Sequence, residues 1–339
     1  MSLSIDGVSI RALSAAIPQD VMTLADFAAL FGEKEVQRIA KSTGIHQVRV
    51  ANRLSTVDLC AAAARALFDT ADIDPASIDG LVLVTQTPDS LMPASSALLA
   101  DRLGLKKALA AFDLNFGCSG YVYGLFQAAM LIKAGGCRRV LVCTGDVISK
   151  LLNPEDRHVR LVFGDAASCT LLESGDQALG FAFNTDGAGA QYLNTALDYT
   201  SSVTSRVQAS GLHMDGGQVM NFALEKVPAA INAFILDQGI DPERVPFYLL
   251  HQANKFMLDY LAKKLGVAQA KVPIEVADVG NTGPSSIPLM ICKRHASEDV
   301  RQDNLIACGF GVGLSIGIAH LSLRDAHIIA PVEVPALPN

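Results

Sequence analysis

The sequence predicts an α/β fold around a largely buried sheet, and two observations support this prediction. Short runs rich in β-branched and aliphatic residues alternate with Ala- and Leu-rich segments that have helical spacing, which is typical of βαβ units. Three sequence landmarks also recur in the same order in the two halves of the chain. With 339 residues, half of them hydrophobic, the chain is long and apolar enough to bury a substantial core.

Apolar runs and helical segments follow one another along the chain. Strands are predicted at residues 81–85, 111–116, 139–145, 168–173, 247–252 and 304–311. Helices are predicted at residues 57–71, 121–134 and 254–265. The segment 174–215 is rich in Gly, Ser, Thr and Asn and has little periodicity, so we expect a connection with some strand content that caps a site. The tail after Leu323 has three prolines in its last nine residues and is expected to fray or to lie on the surface.

The recurring landmarks indicate duplicated halves. Residues 81–86 match 247–252, residues 113–120 match 276–283, and residues 139–145 match 304–310. A general likeness among α/β chains would also produce such matches, and this alternative stays open. Duplication would bring corresponding loops to a shared centre, with Cys118 from the first half and His251 and Asn281 from the second.

Composition excludes several classes of protein. The chain carries 27 Lys and Arg against 34 Asp and Glu, a net charge of −7, whereas a nucleic-acid binder needs a basic face. High hydrophobicity with 18% charged residues excludes intrinsic disorder. The N-terminus lacks a basic start followed by an apolar run, and the apolar stretches at 81–84 and 309–319 are too short or too rich in glycine to span a bilayer. We expect neither a nucleic-acid nor a membrane partner.

The cysteines and histidines show no metal-binding pattern. Seven cysteines are present, an odd number, and none forms a CxxC pair. A disulfide framework or a zinc site would need paired spacing. We therefore expect no metal and a reducing, cytoplasmic location.

Cys118 lies in a context that favours a reactive thiol. It follows a predicted strand and Gly117, and it precedes Ser119, Gly120 and an apolar helix. The N–H groups at the start of a helix favour a thiolate, and flanking glycines allow a substrate to approach closely. An inert core cysteine is the alternative that the residues alone leave open.

His251 and Asn281 are candidate partners of this thiol. His251 ends a predicted strand, where α/β proteins place active sites, and Asn281 lies in a loop that enters a helix. Each residue alone fits a structural role as well, Asn281 as a cap or turn residue. Together with Cys118, at equivalent loop ends of the two halves, they indicate nucleophilic thiol chemistry.

Four motifs around these residues resemble the β-ketoacyl-acyl carrier protein synthase III family, the initiating condensing enzymes of the thiolase superfamily. They are FDLNFGCSG at 112–120, LLHQANKFMLDYLAKKLG at 249–266, GNTGPSSIP at 280–288 and GFGVGLSIG at 309–317. The resemblance extends over nearly the whole chain. It implies a thiolase-like five-layered α/β/α/β/α fold of two duplicated halves. We place the N-terminal half at 1–175, a connecting segment at 176–215 and the C-terminal half at 216–339.

The resemblance also implies a reaction. Cys118 would accept an acyl group from acyl-coenzyme A or an acyl-acyl carrier protein, which are substrates, so no cofactor is expected. A malonyl-acyl carrier protein would then lose CO₂, and its carbanion would attack the acyl-cysteine. N–H donors of His251 and Asn281 would stabilise the enolate, and the backbone N–H groups of Cys118 and Val312 would hold the acyl oxygen. Fatty-acid initiation is the first candidate pathway, and a specialised natural-product or quorum-signal pathway is the second.

Further residues match positions that bind substrates or partners in the family. The resemblance implies that Met92 reaches the acyl pocket of the partner subunit in a homodimer and that Arg157 stacks on the adenine of coenzyme A. Arg38 stands where the family often has a tryptophan opposite that arginine, so the adenine sandwich differs here and the donor preference stays open. Both arginines are candidate coenzyme A contacts.

The acyl carrier protein is the implied macromolecular partner. Three lysines on the predicted helix are candidates for docking its acidic surface: Lys255, Lys263 and Lys264. Phe256 replaces an arginine that is common in the family. The plain alternative is a solvated face of an amphipathic helix.

Two other functions stay open. The same acyl-Cys118 could acylate an oxygen or nitrogen nucleophile, with His251 as general base and no malonyl substrate. The chain could also be a non-catalytic subunit of a heterodimeric condensing enzyme. The starter chain length and branching are not predicted by the sequence.

Overall fold

The computed structural model describes residues 2–195, 211–295 and 299–337. Its strands are β1 Ser2–Pro18, β2 Val21–Thr23, β3 Gln47–Arg49, β4 Gly80–Val84, β5 Ala110–Leu114, β6 Arg139–Asp146, β7 Ala166–Thr185, β8 Leu193–Asn194, β9 His213–Met214, β10 Tyr248–Leu250, β11 Leu305–Gly311, β12 Ser315–Leu321, β13 His327–Ile328 and β14 Val332–Val334. Its helices are α1 Leu24–Phe31, α2 Glu33–Thr43, α3 Thr56–Ala71, α4 Ser95–Arg102, α5 Gly120–Lys133, α6 Arg157–Arg160, α7 Gly216–Asp237, α8 Lys255–Leu265 and α9 Ser286–His295.

Two long strands join the halves of the molecule. β1 and β7 pair antiparallel along most of their length, from Ser2 opposite Ala182 to Ala16 opposite Ala167. The first part of β7 pairs with β6, which leads to β4 and β5. The last part of β7 pairs with β12, which leads to β11 and β10. A parallel pair followed by an antiparallel strand occurs in both sets, as β4, β6 and β7 in one and as β10, β11 and β12 in the other, as expected for duplicated halves.

Helices fill three layers around these two sets of strands. α3 packs on β1, β6 and β7 and forms one outer layer with α4. α5 and α9 lie in the middle, where the apolar cluster includes residues from both sets of strands. α7 and α8 pack on β10, β11 and β12 as the opposite outer layer. The order is helix, sheet, helix, sheet, helix, which confirms the predicted layers.

The predicted connecting segment is partly a strand. Residues 176–185 continue β7 without a break, so the strand content expected there is the second part of that strand. A short 3-10 helix, β8 and β9 follow. Residues 196–210 of the segment 174–215, which was predicted to cap a site, lie outside the described residues, so the cap stays a prediction, as do the limits of the three-part division.

Helix α7 is long and strongly apolar. Among the residues that the structure describes, it alone has the length and composition of a possible membrane span, a stretch that the sequence analysis did not single out. Core helices commonly meet the same criterion. One face of α7 is buried in the outer apolar cluster through Ala223, Val227, Ile231 and Phe234, which accounts for part of its composition, since 33% of its apolar window is buried.

The C-terminal tail lies on the surface, as one of the two expectations stated, and it does not fray as far as Val334 because it pairs with β1. β13 and β14 pair parallel with β1, and the N–H of Gln19 donates to the carbonyl of Val334 at 2.9 Å. Ile329 and Val332 pack on the apolar cluster under α3. The tail completes hydrogen bonds along an edge of β1 and buries apolar side chains, which outweighs the tendency of its prolines to break structure.

Candidate active site

Cys118 lies in the turn between β5 and α5, with 8% of its surface exposed. Two glycines of β11 pack against this turn. A Cβ at Gly309 would lie 2.6 Å from the carbonyl oxygen of Cys118, and a Cβ at Gly311 would lie 3.1 Å from Sγ. Real side chains do not tolerate the first of these distances, and Gly311 also has a φ of +153° that favours glycine. The glycine-rich strand therefore allows the backbone to approach the thiol.

The thiol of Cys118 is neutral in the resting site. Burial raises its pKa to about 12, and the carboxyl group of Asp146 adds to the rise. The backbone N–H groups of Cys118 and Val312 face the sulfur and lower the pKa, but by less. The helix terminus was expected to favour a thiolate, but in the resting site desolvation outweighs the two N–H groups that face the sulfur. The same two N–H groups are the pair predicted to hold an acyl oxygen.

Two hydroxyl groups fix the loop that carries Val312. Ser315 Oγ donates to the carbonyl of Val312 at 2.7 Å, and Ser119 Oγ lies 2.7 Å from Ser315 Oγ. Since Ser315 uses its proton on Val312, Ser119 donates to Ser315. The turn of Cys118 and the loop of Val312 are thus joined by a buried hydrogen-bond chain.

His251 follows β10 and is almost fully buried. Its N–H donates to the carbonyl of Cys308 at 2.9 Å, and its ring meets Phe310 edge to face at 5.4 Å. Burial lowers the pKa of His251 to about 3, so the ring is neutral near pH 7. Nδ1 lies 2.7 Å from Ser286 Oγ, which also accepts from the N–H of Gln252 at 3.4 Å. A donating Ser286 hydroxyl puts the ring proton on Nε2, where it can serve a ligand.

The side chain and backbone of Asn281 are both held in place. Its N–H donates to Val162 at 2.8 Å, and its carbonyl accepts from Gly164 at 3.0 Å. The side-chain Oδ1 accepts from the N–H of Gly283 at 3.0 Å. Because Oδ1 has this partner, the amide offers its Nδ2 protons to a ligand.

Contacts between loops bring these three residues around one centre. A Cβ at Gly120, two residues after Cys118, would lie 3.6 Å from Cβ of Pro284 in the loop of Asn281. Phe310, which packs on His251, lies between the two glycines that contact the Cys118 turn. The structure therefore places the loop ends of the two halves together, as the repeat predicted.

Asp146 is a buried site residue that the sequence analysis missed. It ends β6, has 3% of its surface exposed, and is close enough to raise the pKa of Cys118. Its own pKa is raised to about 7 by burial, against hydrogen bonds that lower it. The feature of the sequence that could have identified Asp146 is an acidic residue at the end of an apolar strand.

The two arginines singled out as coenzyme A contacts meet at one carboxylate. Arg38 Nη2 lies 2.6 Å from Glu35 Oε1, and Arg157 Nε lies 3.1 Å from the same oxygen. Arg38 first, and then Arg157, keep the pKa of Glu35 below its usual value. Glu35 thus bridges the pair in the described structure.

The remaining predicted residues lie on the surface. Met92 is 85% exposed and neighbours Leu91, another exposed apolar residue. On α8 the exposed side chains form one stripe, because they recur at helical spacing. The stripe contains the three lysines and the half-exposed Phe256: Lys255, Phe256, Lys263 and Lys264.

The described residues form neither a metal-binding cluster nor a disulfide bond. Among them, no group of three or more His, Cys, Asp or Glu side chains is arranged to hold a metal ion. All seven cysteines are free and buried.

Comparison with known proteins decides the family. Family models for the N- and C-terminal parts of 3-oxoacyl-[acyl-carrier-protein] synthase III match residues 112–187 and 235–323. A beta-ketoacyl-[acyl-carrier-protein] synthase III from Thermosynechococcus vestitus is 34% identical over 329 residues, covering 94% of this chain and 98% of the relative. The chain belongs to the 3-oxoacyl-[acyl-carrier-protein] synthase III family.

Solved structures agree with this assignment to the synthase III family. A 3-oxoacyl-(acyl-carrier protein) synthase from Burkholderia xenovorans has a TM-score of 0.91 at 33% identity, covering 98% of this chain and 99% of that one. The priming beta-ketosynthase of the R1128 polyketide pathway has a TM-score of 0.85 at 26% identity, with 94% and 97% covered. The predicted thiolase-like fold is confirmed.

Proposed function

We propose that this chain is a condensing enzyme that joins an acyl thioester to malonyl-acyl carrier protein with loss of CO₂. The observation that carries the proposal is the pairing of two donor sets. Backbone N–H groups of Cys118 and Val312 face the thiol, while a neutral His251 and an oriented Asn281 amide supply a second set. Two successive oxyanions need two such sets.

The first half-reaction transfers the acyl group to Cys118. Its sulfur attacks the thioester carbonyl, the N–H groups of Cys118 and Val312 stabilise the tetrahedral oxyanion, and the carbon–sulfur bond to the donor breaks. The thiol proton leaves with the released donor thiol, so the step is balanced. Since the resting thiol has a raised pKa, its proton leaves as attack proceeds rather than beforehand.

The second half-reaction forms the carbon–carbon bond. Loss of CO₂ leaves its electron pair on the malonyl α-carbon as an enolate, and N–H groups of His251 and Asn281 would stabilise the enolate oxygen. The α-carbon attacks the acyl carbonyl, the Cys118 thiolate leaves, and it regains a proton from solvent. A β-ketoacyl thioester and CO₂ are the products.

The neutral histidine is the reason to prefer condensation over simple acyl transfer. Transfer to an alcohol or amine calls for a general base whose pKa lies near the working pH. Burial lowers the pKa of His251 to about 3, which suits a hydrogen-bond donor rather than a base. A non-catalytic subunit would need none of Cys118, His251 or Asn281.

The partners and pathway belong to the same proposal. Malonyl-acyl carrier protein would dock on the lysine stripe of α8, and the exposed Met92 would enter the acyl pocket of a second subunit in a homodimer. Arg38 and Arg157 would contact a coenzyme A donor after release from Glu35.

We propose a cytoplasmic enzyme without cofactor, membrane partner or nucleic-acid partner. Fatty-acid initiation is the first pathway, and a polyketide-type pathway is the second, supported by the likeness to the R1128 priming ketosynthase.

Release of CO₂ from malonyl-acyl carrier protein tests this function. The wild-type enzyme should release CO₂ in proportion to β-ketoacyl product. His251→Ala and Asn281→Ala should each lower the rate about 100- to 1,000-fold, as for loss of an oxyanion donor, while acylation of Cys118 persists. Unchanged CO₂ release in both variants would overturn the assigned roles.

A further inference from the structure

Asp146 connects two loops of the site through its two carboxylate oxygens. Oδ1 accepts four hydrogen bonds from the segment that follows β4: from Thr85 Oγ1 at 3.0 Å, Gln86 N at 2.8 Å, Thr87 N at 3.2 Å and Thr87 Oγ1 at 3.1 Å. All four donors are neutral. Four directed bonds to one buried oxygen fix the path of this segment.

The segment held by Oδ1 supports the turn of Cys118. A Cβ at Gly117 would lie 2.4 Å from Oε1 of Gln86, so the Gln86 side chain packs directly on the backbone that precedes Cys118. Thr87 is fixed further, because its carbonyl accepts from Thr56 Oγ1 at 2.7 Å. A shift of the segment would therefore move the support of the thiol.

The other oxygen contacts the loop of Asn281. A Cβ at Gly283 would lie 3.1 Å from Oδ2 of Asp146, and Gly283 has a φ of +56°, which favours glycine. The N–H of this glycine orients the amide of Asn281. Asp146 thus lies between the turn of Cys118 and the glycine that aims the Asn281 donor.

We propose that Asp146 is a positioning residue that sets the Cys118 turn through Gln86 and the Asn281 amide through Gly283. The inference rests on the proposed function for its link to condensation, but its effect on the thiol does not. Acceptance of hydrogen bonds by Oδ1 is the property that matters. An amide at this position keeps one such oxygen, whereas a methyl group does not.

The experiment compares Asp146→Asn and Asp146→Ala with the wild-type enzyme. Asp146→Ala should lower kcat for condensation about 100-fold, since misplacement of reacting groups by about 1 Å has that effect. The KM for malonyl-acyl carrier protein should stay within about threefold. Asp146→Asn should recover kcat to within about tenfold of the wild type, because it retains the acceptor.

Tyr121→Phe is the matched control. It also removes a buried hydrogen bond, between the Tyr121 hydroxyl and Thr170 Oγ1 at 3.3 Å, but this bond involves neither Asp146 nor the segment that follows β4. It should leave kcat unchanged. Equal losses of kcat in Asp146→Ala, Asp146→Asn and Tyr121→Phe would indicate general destabilisation and overturn the positioning role.

Alkylation of Cys118 by iodoacetamide separates this inference from the proposed function. Both variants remove the carboxyl group that adds to the raised pKa of Cys118, so both should be alkylated faster than the wild type at the same pH. Displacement of the Cys118 turn should make the rate of Asp146→Ala differ from that of Asp146→Asn, even if malonyl-acyl carrier protein is no substrate. Circular dichroism and thermal melting confirm that each variant is folded. A folded Asp146→Ala with wild-type alkylation and with kcat within threefold of wild type would contradict the proposal.

Discussion

Ser286 Oγ lies 2.7 Å from Nδ1 of His251 and holds one side of a buried, neutral imidazole. The contact leaves Nε2 as the donor that can face a substrate. It explains how a histidine can serve as a hydrogen-bond donor at neutral pH without carrying a charge.

Ser286→Ala should weaken condensation selectively. Without the hydroxyl, the proton of His251 is free to move to Nδ1, which reduces the population of the donating tautomer. We expect kcat for condensation to fall about 10- to 100-fold, comparable to loss of an outer hydrogen-bond partner, while acylation of Cys118 continues. Stopped-flow mass analysis of the two half-reactions measures both rates.

Ser285→Ala is the control for this prediction. Ser285 is buried beside Ser286, but its hydroxyl lies 2.9 Å from Thr144 Oγ1 and does not contact the histidine. It should retain condensation. Acylation and condensation that fall together in Ser286→Ala would argue against the tautomer explanation.

Gly311→Ala should block acyl transfer to Cys118. The new methyl group would lie 3.0 Å from Cβ and 3.1 Å from Sγ of Cys118, on a backbone with positive φ. We expect acylation to fall about 100-fold because the sulfur and the Val312 N–H are displaced. Gly187→Ala, where an added Cβ meets nothing within 4 Å, should react normally in the same acylation assay, and a reactive Gly311→Ala would refute the packing argument.

The pH dependence of thiol alkylation should reflect the raised pKa of Cys118. Its pKa of about 12 means that the thiolate fraction is small at pH 7 and increases with pH. Between pH 7 and pH 10 the alkylation rate should rise about tenfold per pH unit without a plateau. Iodoacetamide kinetics with Cys118→Ala as the blank provide the measurement, and a plateau below pH 9 would show that the resting thiol is already activated.

Charge reversal on α8 should weaken docking of the carrier protein. In Lys263→Glu with Lys264→Glu, the KM for malonyl-acyl carrier protein should rise about tenfold at low salt, and kcat should change little, because rim charges act mainly on encounter. Lys107→Glu serves as a control, since Lys107 is also highly exposed but lies outside α8. A KM in the double variant equal to that of the wild type would show that Lys263 and Lys264 do not contribute to carrier-protein docking.

Local sequence patterns predicted the strands and helices whose apolar residues form a continuous run or recur at helical spacing. The strand predicted at 139–145 is observed at Arg139–Asp146, and the helix predicted at 57–71 is observed at Thr56–Ala71. β1 was missed because its polar residues and Gly7 weaken the strand pattern, and its long pairing with β7 compensates for this. Pairing with a distant strand is not visible in a local pattern.

The site was predictable where chemistry depends on residue type and loop position. Cys118, His251 and Asn281 follow from motifs, but the ionisation of the thiol does not, because it depends on burial. Asp146 was missed since its four donors come from a segment about 60 residues away. Glu35 was missed for a similar reason, because Arg157 reaches it only in the folded chain.

Intact-protein mass spectrometry tests the central claim most directly. The enzyme and Cys118→Ala are incubated with a panel of acyl-coenzyme A and acyl-carrier thioesters, and malonyl-acyl carrier protein is then added. We predict an acyl adduct that requires Cys118 and that malonyl-acyl carrier protein discharges into a β-ketoacyl product. Condensation would be contradicted if the acyl group on Cys118 did not react with malonyl-acyl carrier protein and was transferred to an alcohol or amine instead. It would also be contradicted if no donor acylated the enzyme.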